Sequence, residues 1–362
     1  MVAPFMPDDE KLAAVRAGLP AVGAGIYLNT PVAGPLPAET AHAMADLATW
    51  ELTTGRAARD RIAEAWARVD EAGAAIAAIL TTDVDAVTLT HGAGDAVRLA
   101  AAAAGAEPLS VDVGTEADDQ AILAAVDRAV VPGTGLVSIP HVHPGTGARW
   151  PVRAIAALAH ERGAKVVVDG SQAAGAIPVQ LDDLGVDFYV VVGSTWLLGP
   201  EGLGALAVSG RRSPPADPDE RDPAPFDFQL PAVVGLARSC GWLSMYVGLD
   251  WIYGRAGELT RQAADRLGAI DGVELLTPLD RLATILSFRI RGWSAADALE
   301  ELGARAFVLA SALPSVDAIR VGFGFFNTAA EIERMAETVE LLAAHGPANL
   351  PPRRRLSVIG QP

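Results

Sequence analysis

Two apolar runs in this chain end in residues that can do chemistry. Val166 to Val168 leads into Asp169, Gly170, Ser171 and Gln172; Val186 to Val192 leads into Gly193, Ser194, Thr195 and Trp196. Runs this rich in β-branched residues read as strands buried on both faces. Ligands of open α/β sheets bind outside the carboxyl ends of the strands, so the carboxylate of Asp169 and the hydroxyls of Ser194 and Thr195 are expected to share a cleft. Two histidines sit at the ends of other apolar runs. His91 follows Ala86 to Thr90, and His143 closes Leu136 to His143. Facing Asp169 together, they would form a His-His-carboxylate group suited to acid–base work near neutral pH; no metal is assigned to them. The alternative is that each histidine sits satisfied at the pocket edge and that Asp169 caps a turn.

Helices must hold these strand ends in place. Apolar spacing predicts helices over Ala38 to Trp50, Ile62 to Leu80, Ala96 to Ala104, Asp118 to Ala129, Val152 to Arg162, Ala295 to Leu302 and Asn327 to Leu342, with a long helical connection over Gln229 to Ile270. Strands are expected at Ile26 to Thr30, Thr284 to Ile290 and, as an edge, Ile319 to Phe323. The turn His91-Gly92-Ala93-Gly94-Asp95 joins a strand to a helix N-terminus. Its free backbone N–H groups make an anion cup, although turns of this kind also serve packing alone. Gly210 to Pro225, dense in Pro, Asp and Arg, reads as a surface loop.

The runs DGSQAAG, LGVDF and GSTWLLGPEGLGALAV, with IRVGFGFFNTAAEIERM near the C-terminus, resemble the core of class V aminotransferase-fold enzymes. That group includes the cysteine desulfurases, isopenicillin-N-epimerase-like proteins and ergothioneine-pathway lyases. The resemblance runs from Tyr27 to about Leu342. It implies an α/β chain of the PLP-dependent transferase fold type I, with a mostly parallel central sheet in a large domain plus a smaller α+β domain. The expected division is an N-terminal segment over 1–30, a large domain over 31–250, a small domain over 251–346 and a flexible tail over 347–362.

The resemblance also implies a site for pyridoxal phosphate (PLP). Asp169 stands where the family's aspartate pairs with the pyridine nitrogen, with Gln172 beside it. His91, Gly92 and Ala93 form the phosphate turn, Asn29 and Thr30 line the mouth, and Arg320 receives a substrate carboxylate. Thr195 stands at the position of the Schiff-base lysine, Ser194 where a histidine is usual, and Val192 and Gly94 where hydroxyls are usual. A strand-loop-helix unit that carries the ring-stacking residue is missing after Ala104. The chain's two lysines, Lys11 and Lys165, lie in the N-terminal segment and at the start of the strand that ends in Asp169. The resulting expectation is a degenerate site with no covalently bound cofactor, PLP or its amine form PMP being the less favoured alternative. His143, Asp169 and Thr195 would line the pocket, and Arg320 would anchor a small amino-acid-like or carboxylate-bearing molecule. The rivals are a PLP/PMP lyase or aminotransferase holding its cofactor non-covalently, and a non-catalytic subunit of an active paralogue.

Composition narrows the partners. The chain has 362 residues and a formal net charge of −16, which argues against a nucleic-acid footprint. Arg353 to Arg355 read as a solvated basic terminus. A single cysteine, Cys240, rules out an intrachain disulfide and reads as a buried structural thiol. No signal or membrane-spanning pattern is read, so a cytoplasmic protein is expected. Excess apolar surface on the helices between Ala38 and Leu80 and on the long segment after Gln229 points to a symmetric homodimer.

Overall fold

The computed structural model describes residues 6–56, 61–111, 113–114, 118–210 and 227–353. In chain order its elements are α1 (Asp8–Gly18), β1 (Ile26–Tyr27), α2 (Ala38–Thr54), α3 (Arg61–Leu80), β2 (Val87–Thr90), α4 (Ala93–Ala104), β3 (Pro108–Ser110), α5 (Asp119–Ala129), β4 (Leu136–Pro140), α6 (Val152–Glu161), β5 (Lys165–Asp169), α7 (Leu181–Leu184), β6 (Phe188–Val192) and β7 (Gly204–Val208). The second half adds α8 (Leu230–Gly241), α9 (Leu249–Gly268), β8 (Val273–Leu275), β9 (Ile285–Ile290), α10 (Ala295–Ala306), β10 (Val308–Leu309), β11 (Ser311–Leu313), β12 (Ala318–Gly322) and α11 (Ala329–Ala344).

Six strands form the large sheet in the order β2-β7-β6-β5-β4-β3. β3 to β6 run parallel, and β7 alone is antiparallel to both of its neighbours. The valines of β5 and β6 are buried because both faces of the sheet are covered. Val167, Phe188 and Val190 meet the alanines of α4 on one side, while Val166, Val168, Tyr189 and Val191 enter the main core on the other. With short connections, this winding brings the ends of β2, β4, β5 and β6 to one rim. β3 is the edge strand: a strand-loop-helix unit beyond it is absent among the described residues.

The small sheet is antiparallel, β11-β12-β9-β8, backed by α9, α10 and α11 around Phe288, Ile319, Val321 and Met335. β12 was expected at an edge. It lies inside, because Ser311–Leu313 adds a further strand. The predicted strand over Ile26 to Thr30 shrinks to two paired residues, β1 against β10, because the chain then leaves β10 and Asn29 bridges to Gly322 instead. The long connection is not one helix. A π-helical turn over Trp242–Val247 ends at Gly248, whose φ of 90° breaks the run, and α9 leaves at 85° to the preceding segment. The expected loop over Gly210 to Pro225 falls, beyond Gly210, outside the described residues. Arg353 is not simply solvated: it pairs with Glu300 and Glu301 on α10. Cys240 is buried, and burial pushes its thiol up to about 12.

Candidate functional site

Asp169 ends β5, half-buried at the rim. Its Oδ1 accepts the N–H of Ser171 (2.8 Å) and the Ser171 hydroxyl. Its Oδ2 has no hydrogen-bond partner among the described residues, so one carboxylate oxygen stays available. At the end of β2, α4 begins with the turn read as an anion cup. Asp95 Oδ2 accepts the His91 N–H (3.1 Å), and Asp95 Oδ1 pairs with Arg98 at 2.5 Å. The first backbone N–H to be satisfied within the helix is that of Ala96, which donates to Gly92 O. The amides of Ala93 and Gly94 therefore remain for an anion. The His91 ring is engaged elsewhere, stacked on Phe228 with centroids 4.6 Å apart.

Thr195 does not open into the cleft. It is 5 % exposed, and its hydroxyl donates to Ser171 O at 2.8 Å. The segment after β1 lies over it. Gly34 N–H donates to Ser194 O (2.8 Å), and a methyl group on Gly34 would collide with the Thr195 carbonyl and the Leu198 side chain. Gln172 ties the same layer together: its Nε2 donates to Pro31 O (2.9 Å), and its Oε1 accepts the Trp196 indole N–H (3.0 Å). Both ends of that amide are spent inside the protein. Asn29 and Thr30 stand at the junction of the two sheets. Asn29 bridges to Gly322, and the Oδ1 of Asn29 and the hydroxyl of Thr30 are buried without partners among the described residues.

The histidines do not gather around Asp169, so the expected His-His-carboxylate group does not form. His143 Nδ1 is taken up by its own turn, and its ring stacks on Trp150. The reason is local. The Pro144-Gly145 turn folds back on the residue before it and offers two N–H groups to the nearest acceptor. Among the described residues no group of three or more His, Cys, Asp or Glu is placed to hold a metal.

A different histidine approaches the end of β5. His141 N–H donates to Asp169 O (2.9 Å), and His141 Nδ1 is 2.8 Å from the Tyr189 hydroxyl. Burial, aided by the Arg149 charge, lowers the His141 pKa to about 4, so the ring is neutral. Burial raises the Tyr189 phenol well above its ordinary value, with Asp169 and Tyr253 adding to the effect. The imidazole and the phenol thus share one hydrogen bond between two neutral groups. Sequence reasoning passed over this pair; the alternation that points Tyr189 to the same face as Val191 was the available signal.

Arg320 lies on β12, with Nε on Ser311 Oγ (3.2 Å) and Nη1 on Pro144 O (3.0 Å). No carboxylate pairs with it among the described residues, and burial lowers its pKa. Lys165 sits at the far end of β5 from Asp169. Lys11 is buried under the Trp251 ring, 4.7 Å from its centroid.

Comparison with known proteins places this geometry. A probable cysteine desulfurase of Methanothermobacter thermautotrophicus is 23 % identical over 92 % of this chain and 98 % of its own. A probable cysteine desulfurase of Mycolicibacterium paratuberculosis is 29 % identical over 62 % of this chain, a match spanning only 37 % of that protein. Isopenicillin N epimerase of Streptomyces clavuligerus is 29 % identical, over 62 % of this chain and 64 % of its own. Among solved structures, the apo cysteine desulfurase of Thermococcus onnurineus superposes with a TM-score of 0.76 at 18 % identity, covering 95 % of this chain and all of that one. A Lys-to-Ala mutant of C-DES with glycine covalently linked to its PLP cofactor superposes with a TM-score of 0.77 at 18 % identity, over 90 % of this chain and 98 % of that one. The fold is therefore the PLP-dependent type I fold.

The expectation of a site with PLP disfavoured is corrected by these relatives. Desulfurases are the chain's recurrent matches, and a solved neighbour carries the cofactor. The residues here fit such a group at two points, the free Asp169 Oδ2 for a ring nitrogen and the α4 amides for a phosphate. The aminotransferase class-V model matches residues 112–220 and 222–335, more than half of the sequence, and the chain belongs to the aminotransferase class V family.

Proposed function

We propose that this protein binds a pyridoxal-type cofactor at the rim of the large sheet and acts there on a small amino-acid-like or carboxylate-bearing molecule. The observation that carries the reading is Asp169, whose Oδ2 has no partner among the described residues at the end of β5. A carboxylate there accepts a proton-bearing ring nitrogen and keeps that proton in place. When bound, PLP or PMP supplies an electron sink for charge developing on the substrate. The α4 amides would take the phosphate, and Nη2 of Arg320, which has no partner among the described residues, a substrate carboxylate.

The site as proposed works without a lysine at the position of Thr195. Thr195 donates its hydroxyl to Ser171 O and holds no basic lone pair toward the cleft. Proton movement at the substrate therefore falls to other groups or to water. The C-DES mutant supports this reading, since a protein of this fold with one lysine replaced by alanine carries PLP linked to glycine. We further infer that two copies of the chain pair.

Titration of the protein with PLP and with PMP, followed by absorbance and calorimetry, tests the proposal. Saturable binding is expected, weakened about tenfold or more in Asp169→Ala by loss of a charge-assisted hydrogen bond. Flat titrations with both compounds into the millimolar range would sink it.

A further inference from the structure

The turn after β4 is held from inside and from outside at once. Inside, His143 Nδ1 accepts the N–H of Gly145 (3.2 Å), the N–H of Thr146 (3.0 Å) and the Thr146 hydroxyl (3.2 Å). Accepting the amides two and three residues ahead is what an Asn or Asp side chain does in an Asx-turn. Here an imidazole does it, which requires its proton to sit on Nε2.

Outside, three consecutive carbonyls of the turn are each taken by a different side chain. Pro144 O accepts from Arg320 Nη1 (3.0 Å), Gly145 O from the Ser287 hydroxyl (2.7 Å) and Thr146 O from the Thr277 hydroxyl (2.5 Å). All three donors belong to the small sheet or its approach. Arg320 and Ser287 are register partners on β12 and β9. Thr277 follows β8, and its hydroxyl oxygen accepts the Ser287 N–H (2.9 Å). The shape of one turn on the large sheet thus bears on three hydrogen bonds from the small one.

We infer that His143 is a positioning residue that acts through this turn on Arg320, an inference resting on the reading of Arg320 as the carboxylate anchor. Ser311 Oγ and Pro144 O hold two of the guanidinium nitrogens, Nε and Nη1, and leave Nη2 to meet a ligand. Without an acceptor at His143 Nδ1 the amides of Gly145 and Thr146 lose their partner. The three carbonyls then move, and Arg320 loses the contact that aims it. In this role His143 contributes a lone pair to geometry.

Two substitutions in the full-length chain separate this role from packing. His143→Asn removes the stack on Trp150 but keeps an acceptor that can bond the same two amides. His143→Phe keeps the stack and removes the acceptor. Hydrogen exchange is read on the peptides spanning 141–150 and β12, and L-alanine affinity is read on PLP-treated protein. His143→Asn is expected to match the wild type in both readouts. In His143→Phe both peptides should exchange roughly tenfold faster and L-alanine should bind roughly tenfold more weakly, the scale of one lost hydrogen bond. Wild-type protection in His143→Phe, or damage confined to His143→Asn, would overturn the inference. Should the wild type itself fail to bind L-alanine, the reading of Arg320 as an anchor falls, while the exchange data still decide what His143 does to the turn.

Discussion

At the scale of single residues, the site is arranged by which polar groups are already spent. Among the described residues Asp169 keeps one oxygen free, Arg320 keeps Nη2 free, and Gln172 and Thr195 keep nothing of consequence toward the cleft. His141 adds a dependence on acidity. Its folded pKa of about 4 lies below the ordinary value of 6.5, so the unfolded chain binds more protons between those two points. Stability is therefore full above about pH 6.5 and is lost as the pH falls toward 4, by up to about 3 kcal/mol from this group. His141→Gln keeps a hydrogen-bonding partner for Tyr189 and removes the titration. Urea unfolding between pH 4.5 and 7.5 should show a smaller acid-side slope in that variant; an unchanged slope would assign it to other groups.

At the scale of elements, β5 and β6 were legible because a run of valines that closes on a carboxylate or hydroxyls has few other readings. The N-cap Asp118 was legible too, and its side chain accepts the Ala121 N–H. What stayed hidden depends on contacts distant in sequence. Nothing near Thr195 says that Gly34 lies against its carbonyl, and nothing near His143 says that Arg320 will reach Pro144. The break at Gly248 was missed because apolar spacing continues on both sides of it, and periodicity reports faces rather than bends. Asp169 and Arg320 were picked out by type, but which of their atoms remain free is a matter of partners, which only packing decides. The Gly34 contact carries its own prediction. Gly34→Ala forces a methyl group against the Thr195 carbonyl and Leu198, and overpacking of this kind costs about 1–3 kcal/mol. Denaturant midpoints should fall accordingly, and an unaltered midpoint would mean that the covering segment yields freely.

At the scale of the whole molecule, Val32, Leu36, Trp50, Leu52 and Ile62 leave large apolar side chains exposed on α2, α3 and the segment before them. A second copy of the chain would cover such surface. Light scattering at micromolar concentration is expected to give the mass of a dimer, and Leu52→Glu, at a residue 84 % exposed, should shift it toward the monomer. A monomeric wild type would refute the pairing.

Among the described residues the large sheet also ends early on one side, at a strand of three residues that begins with Pro108. An open sheet edge is a template on which stray chains can add, and length and a full row of N–H donors make it a good one. Here the edge is too short to hold a guest strand firmly, and its first residue has no N–H to give. Stopping the sheet at β3 therefore leaves a stray chain little to add to along this edge, and the strong negative charge of the chain adds mutual repulsion between copies.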